Sequence, residues 1–327
     1  MRSDGTVVKR KKTRENTQKE RSKGWQGSLP VHNMESVISA KGLTKKYKKF
    51  TLGVLDFEIP KGFSTALIGA NGAGKTTLLD VLCGIIAPSS GEITYFGEIT
   101  DIEENETKER IGYQAAQGMY PLNWTPKDVA MANALGFKGF KEERFWELCE
   151  KYGVATSGEK KDTLMRMSDG NRIRLCLAAV FARDTELLVL DEPGSNLDPL
   201  MRDRLCGQFR EYLEEGDGEK TIIFSTHNIA DMENVTDYAI LMYGGGIIES
   251  GFVADLCERY LLVSGENATF DKIKGELLVE ERNASTCSGF AKAEKRELLE
   301  AAGAVVETPN LQQLSVSLLR YAEARNS

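Results

Sequence analysis

No apolar run in this sequence of 327 residues comes near the roughly 18 residues that a membrane-crossing helix needs. The longest, Leu175 to Ala182, holds eight. The chain is therefore not expected to span a bilayer itself. Histidine is scarce, with only His32 and His227, and the six cysteines (83, 149, 176, 206, 257, 287) form no CxxC pair. Zinc-site spacing is absent, so packed, reduced thiols are the plain reading. The basic start is never followed by an apolar stretch, so no secretory leader is expected and the sequons at Asn234, Asn267 and Asn283 are expected to carry no glycan. What is present is ordinary globular usage, 41% hydrophobic and 28% charged.

The net charge of −7 is unevenly spread. Residues 1–33 carry nine Lys or Arg against three Asp or Glu, so the remainder stands at −13. An acidic body lacks the clustered cations that phosphate backbones require, which argues against a nucleic-acid surface. The first 33 residues have few apolar positions and no period, and are expected to be a disordered basic tail, either solvated or touching anionic lipid. Met34 is read as the start of structure.

From there short β-rich runs alternate with helical ones, the pattern of an α/β domain. TLGVLDFEI (Thr51 to Ile59) has the strand period and FSTALIG is a second, continuous strand. A glycine-rich loop and the helix KTTLLDVLCGII follow, then the hairpin-like GEITYFGEIT and a helical stretch within about 115–180. ELLVLDEP and TIIFSTH are further strands, and the glycine-turned hairpin Ala239 to Gly251 closes a domain spanning 34–251. Residues 252–327 read as a small α/β appendage. In it AKAEKRELLEAAG is expected to be a helix, and the last helix is capped by Asn310 with Gln313, lining up Leu311, Leu314, Leu318 and Tyr321.

The strongest chemical signal is GANGAGKT at Gly69 to Thr76, which fits GxxxxGK[ST] between a strand and a helix. Its glycines let backbone N–H groups curl around a polyphosphate in front of a helix N-terminus. Lys75 would reach the β- and γ-phosphates and Thr76 would ligate Mg²⁺. Downstream, Asp191 and Glu192 end an apolar strand. Strand alternation would send them to opposite sides, one to the metal and one to an attacking water.

Further motifs in order and spacing make the sequence resemble the nucleotide-binding subunits of ATP-binding cassette (ABC) transporters over about residues 36–251. RMSDGNR (Arg166 to Arg172) stands where the family has its LSGGQ-like signature, matching at Ser168 and Gly170. GSNLD (Gly194 to Asp198) matches the D-loop, and His227, 35 residues beyond Glu192, matches the switch histidine. Tyr47 occupies the place of the aromatic that stacks on adenine; taken alone it would be a packing residue. The resemblance implies a P-loop NTPase fold of the ABC-cassette type. It has a RecA-like core, an antiparallel β subdomain and a helical subdomain, to which this chain adds the C-terminal α/β appendage.

It also implies a head-to-tail pair, a homodimer or heterodimer. ATP would lie between Gly69, Ala70, Asn71, Gly72, Ala73, Gly74, Lys75, Thr76 and Thr77 of one copy and Ser168 and Gly170 of the other, with Asp198 joining the two sites. Glu192 and His227 would act on the water and the γ-phosphate beside Lys75. Mg²⁺ would be held by Thr76, Asp191 and a Q-loop glutamine. That glutamine is expected about where Ala116 stands; Gln114 and Gln117 flank it, and Gln117 is the favoured choice.

The signature carries Asp169 where the common motif has glycine, and this carboxylate is expected to weaken ATP affinity slightly. MYPLNWT, with Met119, Tyr120 and Trp124, and TPNLQQLSVSLLRY resemble the bacterial subgroup that exports antimicrobial peptides and antibiotics. The three residues would lie near the groove for a permease helix or in the subdomain core. The implied partner is a separate integral-membrane permease, and the implied place is the cytoplasmic face of the cell membrane. The competing reading is a soluble ABC-type ATPase that remodels a macromolecular complex, as in cluster assembly.

Overall fold

Continuous apolar runs at Ala66 to Ile68, Leu187 to Leu190 and Ile222 to Phe224 are buried on both faces, as strands between two helix layers must be. A computed structural model describes residues 35–99, 101–102, 105–116, 118–154 and 163–326. The basic stretch 1–33 and Gln117 lie outside the described residues.

In chain order the strands are β1 (Ser36–Lys46), β2 (Thr51–Pro60), β3 (Ser64–Gly69), β4 (Ser90–Tyr95), β5 (Ile111–Gln114), β6 (Leu187–Leu190) and β7 (Thr221–Thr226). They continue with β8 (Tyr238–Tyr243), β9 (Gly246–Phe252), β10 (Tyr260–Glu266), β11 (Val279–Arg282), β12 (Thr286–Lys292) and β13 (Val305–Glu307). The helices are α1 (Lys75–Leu82), α2 (Asn105–Arg110), α3 (Pro126–Gly136), α4 (Glu142–Lys151) and α5 (Asp169–Phe181). After these come α6 (Pro199–Glu215), α7 (Val253–Glu258), α8 (Asn267–Lys272), α9 (Arg296–Ala301) and α10 (Leu311–Asn326).

The central sheet has the order β5-β6-β7-β3-β8-β9 and is parallel except for β9. Its register sets Leu190 beside Phe224 and Ile68 beside Thr226. The carboxyl ends of β3, β6 and β7 therefore finish side by side, the edge at which open parallel sheets place their ligands. The glycine-rich loop, the two carboxylates and His227 all leave the sheet there.

A second sheet, β2-β1-β4, is antiparallel. The expected alternation in β2 holds from Leu55 through Phe57 to Ile59, all buried, while Leu52, also buried, falls out of phase where the pairing with β1 shifts register. GEITYFGEIT turns back as a minimal hairpin: beyond β4, among the described residues, one antiparallel bridge forms, Tyr95 to Ile99. β1 has two free edges and takes β4 on the one that β2 leaves, burying Ile93 and Tyr95.

The C-terminal part carries a third sheet, β11-β12-β10-β13. The expected helix from Ala291 to Gly303 is shorter than its pattern suggests, because Ala291 and Lys292 close β12 and α9 starts only at Arg296. Phe290 and Ala291 are buried on that strand, and Phe290 stacks on Tyr260 at 5.0 Å, so strand pairing overrides helix propensity. The cap of α10 is as expected: Asn310 Oδ1 accepts from Gln313 N–H, and Gln313 Oε1 from Asn310 N–H. Leu311, Leu314 and Leu318 are buried in the same apolar cluster as Ile229, Met232 and Val235. Each leucine so placed contributes about 1.5–3 kcal/mol.

The six cysteines are unpaired thiols. Burial pushes those of Cys149 and Cys176 up to about 12, so they pack rather than react.

Candidate active site

Between β3 and α1 the chain turns through Gly72 and Gly74 at φ of 81° and 103°. Gly74 is required twice over, since a Cβ there would also stand 2.9 Å from Phe50 Cζ. At Gly69 the constraint is proximity: a Cβ would meet the Met242 carbonyl at 2.6 Å. These glycines permit a loop whose N–H groups and following helix N-terminus suit a polyphosphate.

Lys75 begins α1 and is only 6% exposed. Its Nζ donates to Gly69 O at 2.8 Å and Ala70 O at 3.3 Å and lies 3.4 Å from Glu192 Oε1. Those oxygens offset the cost of burying the ammonium, and phosphate oxygens can replace them. One residue on, Thr76 Oγ1 donates to Asp191 Oδ2 at 2.8 Å. Asp191 is fully buried, and its other oxygen accepts from Ser225 Oγ. A hydroxyl and a carboxylate are hard oxygen donors that fit Mg²⁺, which keeps several waters and needs few protein ligands.

The two carboxylates diverge, but not by strand alternation alone. β6 stops at Leu190, and Glu192 sits at φ 51°, a left-handed conformation that costs about 1–3 kcal/mol. Its N–H donates to Ser225 Oγ at 2.9 Å, and its carbonyl accepts from Ser195 N–H and Oγ at 3.0 and 2.8 Å. That turn aims the 17%-exposed side chain at Lys75 on one side and His227 on the other. His227 Nδ1 lies 2.8 Å from Glu192 Oε2, and because a carboxylate only accepts, the ring donates.

These groups border one cavity of about 560 Å³. Asn71, Gly72, Gly74, Lys75, Thr76, Thr77, Glu192 and His227 line it, joined by Phe50, Ala116, Ser195 and Asn196. Tyr47 does not: it is 47% exposed at the end of β1, near Lys45. Phe50, bonded to Tyr47 through the backbone at 2.8 Å, is the aromatic that reaches the cavity, and it belongs to none of the motifs. Gln114 is buried at the end of β5 with its Nε2 turned to Ala115 O.

Ser168 and Gly170 do not line that cavity either. Ser168 caps α5 by accepting from Asn171 N–H, and a Cβ on Gly170 would come within 2.9 Å of Asn196 O. Asp198 caps α6; the Met201 N–H, then Arg174, hold its carboxyl below the usual carboxylate range. Asp169 pairs with Arg172 one turn along α5. Met119, Tyr120 and Trp124 border a separate groove of about 540 Å³ beside Ile85 and Tyr113.

Residues 52–195 match the ABC transporter family. An uncharacterized ABC transporter ATP-binding protein of Synechocystis sp. is 32% identical over 254 residues, 75% of this chain and 70% of that protein. The chain belongs to the ABC transporter ATP-binding family.

The linearmycin resistance ATP-binding protein of Bacillus subtilis is 29% identical over 245 residues, covering 72% of this chain and 77% of its own. Among solved structures, a Clostridium perfringens subunit described as part of the ABC transporter complex cbiONQ superposes with a TM-score of 0.53 at 27% identity, covering 67% of this chain and 89% of that one. ABC proteins of this family hydrolyse ATP.

Asp169 opens α5 directly after the Ser168 cap. An extra carboxylate repels phosphate, and its pairing with Arg172 offsets only part of that charge. Asp169→Gly is expected to lower the Michaelis constant for ATP by about two- to fivefold, of the order of one exposed charge contact. Steady-state ATPase measurements check this, and an unchanged constant refutes it.

Proposed function

We propose that the chain is the ATP-hydrolysing motor of an export system whose pathway lies in a separate integral-membrane permease. The observation that carries this is a split. Lys75, Thr76, Glu192 and His227 line one cavity, with Asp191 buried behind Thr76, while Ser168 and Gly170 are not among its lining residues. A complete site then requires a second cassette, identical or related, to bring its Ser168 and Gly170 to this loop, with Asp198 near the junction.

In such a pair Lys75 holds the β- and γ-phosphates. Mg²⁺, held by Thr76 and Asp191 with Gln117 as the expected third ligand, would offset charge on the phosphate oxygens. Glu192 orients the attacking water and takes its proton as the oxygen bonds to the γ-phosphorus and the bond to ADP breaks. His227 contacts the γ-phosphate and holds Glu192 through its Nδ1–H. Tyr47 or Phe50 packs on adenine.

Export of an antimicrobial peptide, antibiotic or lipid-like compound is supported by the name of the Bacillus subtilis relative and by the MYPLNWT segment. No helix among the described residues is long and apolar enough to cross a membrane, which is consistent with a peripheral subunit on the cytoplasmic face. The groove lined by Met119, Tyr120 and Trp124 suits a permease helix.

Purification from native membranes tests the reading. The expected result is copurification with a polytopic chain and Mg²⁺-dependent ATP turnover that rises faster than linearly with protein concentration. Activity confined to the supernatant, with no hydrophobic partner, would point instead to a remodelling ATPase.

A further inference from the structure

His227 opens a segment, residues 228–236, whose far end is fastened to the C-terminal helix. Glu233 Oε1 accepts from Leu311 N–H at 2.8 Å, a bond between residues 78 apart in the chain. That N–H is one of the helix-start donors that no carbonyl within α10 can satisfy. The other cap bonds of α10 are local, between Asn310 and Gln313. Glu233 is therefore the link that ties this helix start to the switch segment.

The contact continues toward the chemistry. Ile229, Met232 and Val235 share one apolar cluster with Leu311, Leu314 and Leu318. Met232 Sδ lies 3.8 Å from Cys206 Sγ, and a Cβ on Gly194, two residues past Glu192, would meet that same Sδ at 3.8 Å. Met232 thus lies between the C-terminal helix and the turn that presents Glu192. On its other flank the segment is tied to α6, by Arg202 to Asp231 at 2.6 Å and by Cys206 Sγ to Asp231 O at 3.6 Å. His227 itself is half-exposed, and among the described residues its side chain bonds Glu192. Its backbone follows directly on β7, and the segment beyond it is held by these two anchors, α6 through Asp231 and the C-terminal helix through Glu233.

We propose that Glu233 is a positioning residue for His227, and that through it the C-terminal helix sets the rate of ATP hydrolysis. The proposal rests on reading His227 as the γ-phosphate contact. Loss of the bond frees one anchor while Lys75, Thr76 and the glycine-rich loop stay intact. The effect therefore falls on turnover and not on nucleotide capture. A displacement of about 1 Å at a reacting group is enough to cost a rate on the order of 10². A plain helix cap would behave differently, lowering thermal stability but leaving each folded molecule at full rate.

The experiment uses the full chain and compares wild type, Glu233→Ala, Glu233→Gln and His227→Ala. ATP turnover is followed against ATP concentration, and fluorescent-nucleotide binding counts the folded sites, so that loss of folded protein cannot imitate loss of rate. Glu233→Ala is expected to lower kcat per site about tenfold with KM and nucleotide affinity within about twofold. Glu233→Gln keeps an oxygen facing Leu311 N–H and is expected to recover most of the rate. Full kcat in Glu233→Ala, or a Glu233→Gln as slow as the alanine variant, overturns the proposal. If His227→Ala turns over like wild type, the reading of His227 fails and takes the proposal with it. If His227→Ala collapses while Glu233→Ala does not, only the proposal fails.

Discussion

Glu192→Gln is expected to bind ATP at least as well as the wild type and to hydrolyse it on the order of 10³ times more slowly, the scale of losing a general base. Glutamine keeps the volume and one acceptor oxygen, so His227 can still donate to position 192 and the turn held by Ser195 and Ser225 is undisturbed. What disappears is the charge that takes the proton from water. The same charge stands 3.4 Å from Lys75 and faces the place of the γ-phosphate, so its removal also relieves a repulsion in the ATP-bound state. Binding and turnover should therefore move in opposite directions. Single-turnover hydrolysis and size-exclusion chromatography with ATP check both halves, the second because unhydrolysed ATP should hold two cassettes together. A rate within tenfold of wild type would remove Glu192 from the role.

Why this carboxylate could be picked out in advance, and others of the site could not, follows from where the information lies. The phosphate loop is one run of eight residues, and Asp191, Glu192 and His227 terminate strands whose apolar character is written in their own letters. Contacts that depend on which strand lies beside which are not written that way. Ser225 bridges Asp191 and the Glu192 N–H only because β7 pairs with β6 in the register that sets Leu190 against Phe224. Phe50 reaches the cavity because the β1–β2 turn folds over Gly74, while Tyr47, the better motif match, is not among the residues that line it. The fold shows the same division. The α/β alternation and the cap of α10 were legible locally. β4 joining β1, and the strand ending at Lys292 within a helix-like pattern, were decided by a neighbouring edge and a buried Phe290. The link between Glu233 and Leu311 is a longer-range case still, since nothing in the pattern around Leu311 pairs it with a residue 78 positions earlier.

Lys75→Ala is expected to lose ATP affinity by on the order of 10²-fold or more, with hydrolysis falling as a consequence. Hydrogen bonds to charged groups contribute about 1.5–3 kcal/mol each, and this ammonium would serve two phosphates. Part of the loss comes from what the lysine leaves behind. Glu192 Oε1 loses its cation, and the carbonyls of Gly69 and Ala70 lose their donor at the mouth of the loop. An uncompensated carboxylate, 17% exposed, then meets the incoming polyphosphate. This makes the coupling between the two residues measurable. If repulsion from Glu192 contributes, the double variant Lys75→Ala with Glu192→Gln should bind ATP more tightly than Lys75→Ala alone, though still more weakly than Glu192→Gln. Equilibrium binding of a fluorescent ATP analogue to the four proteins closes the cycle. Additive losses would mean that Lys75 acts on phosphate alone, and a Kd for Lys75→Ala within threefold of wild type would remove it from the binding site altogether. Lys75→Arg should not rescue either defect, because a planar guanidinium does not reproduce the point-like ammonium that sits on the Gly69 and Ala70 carbonyls.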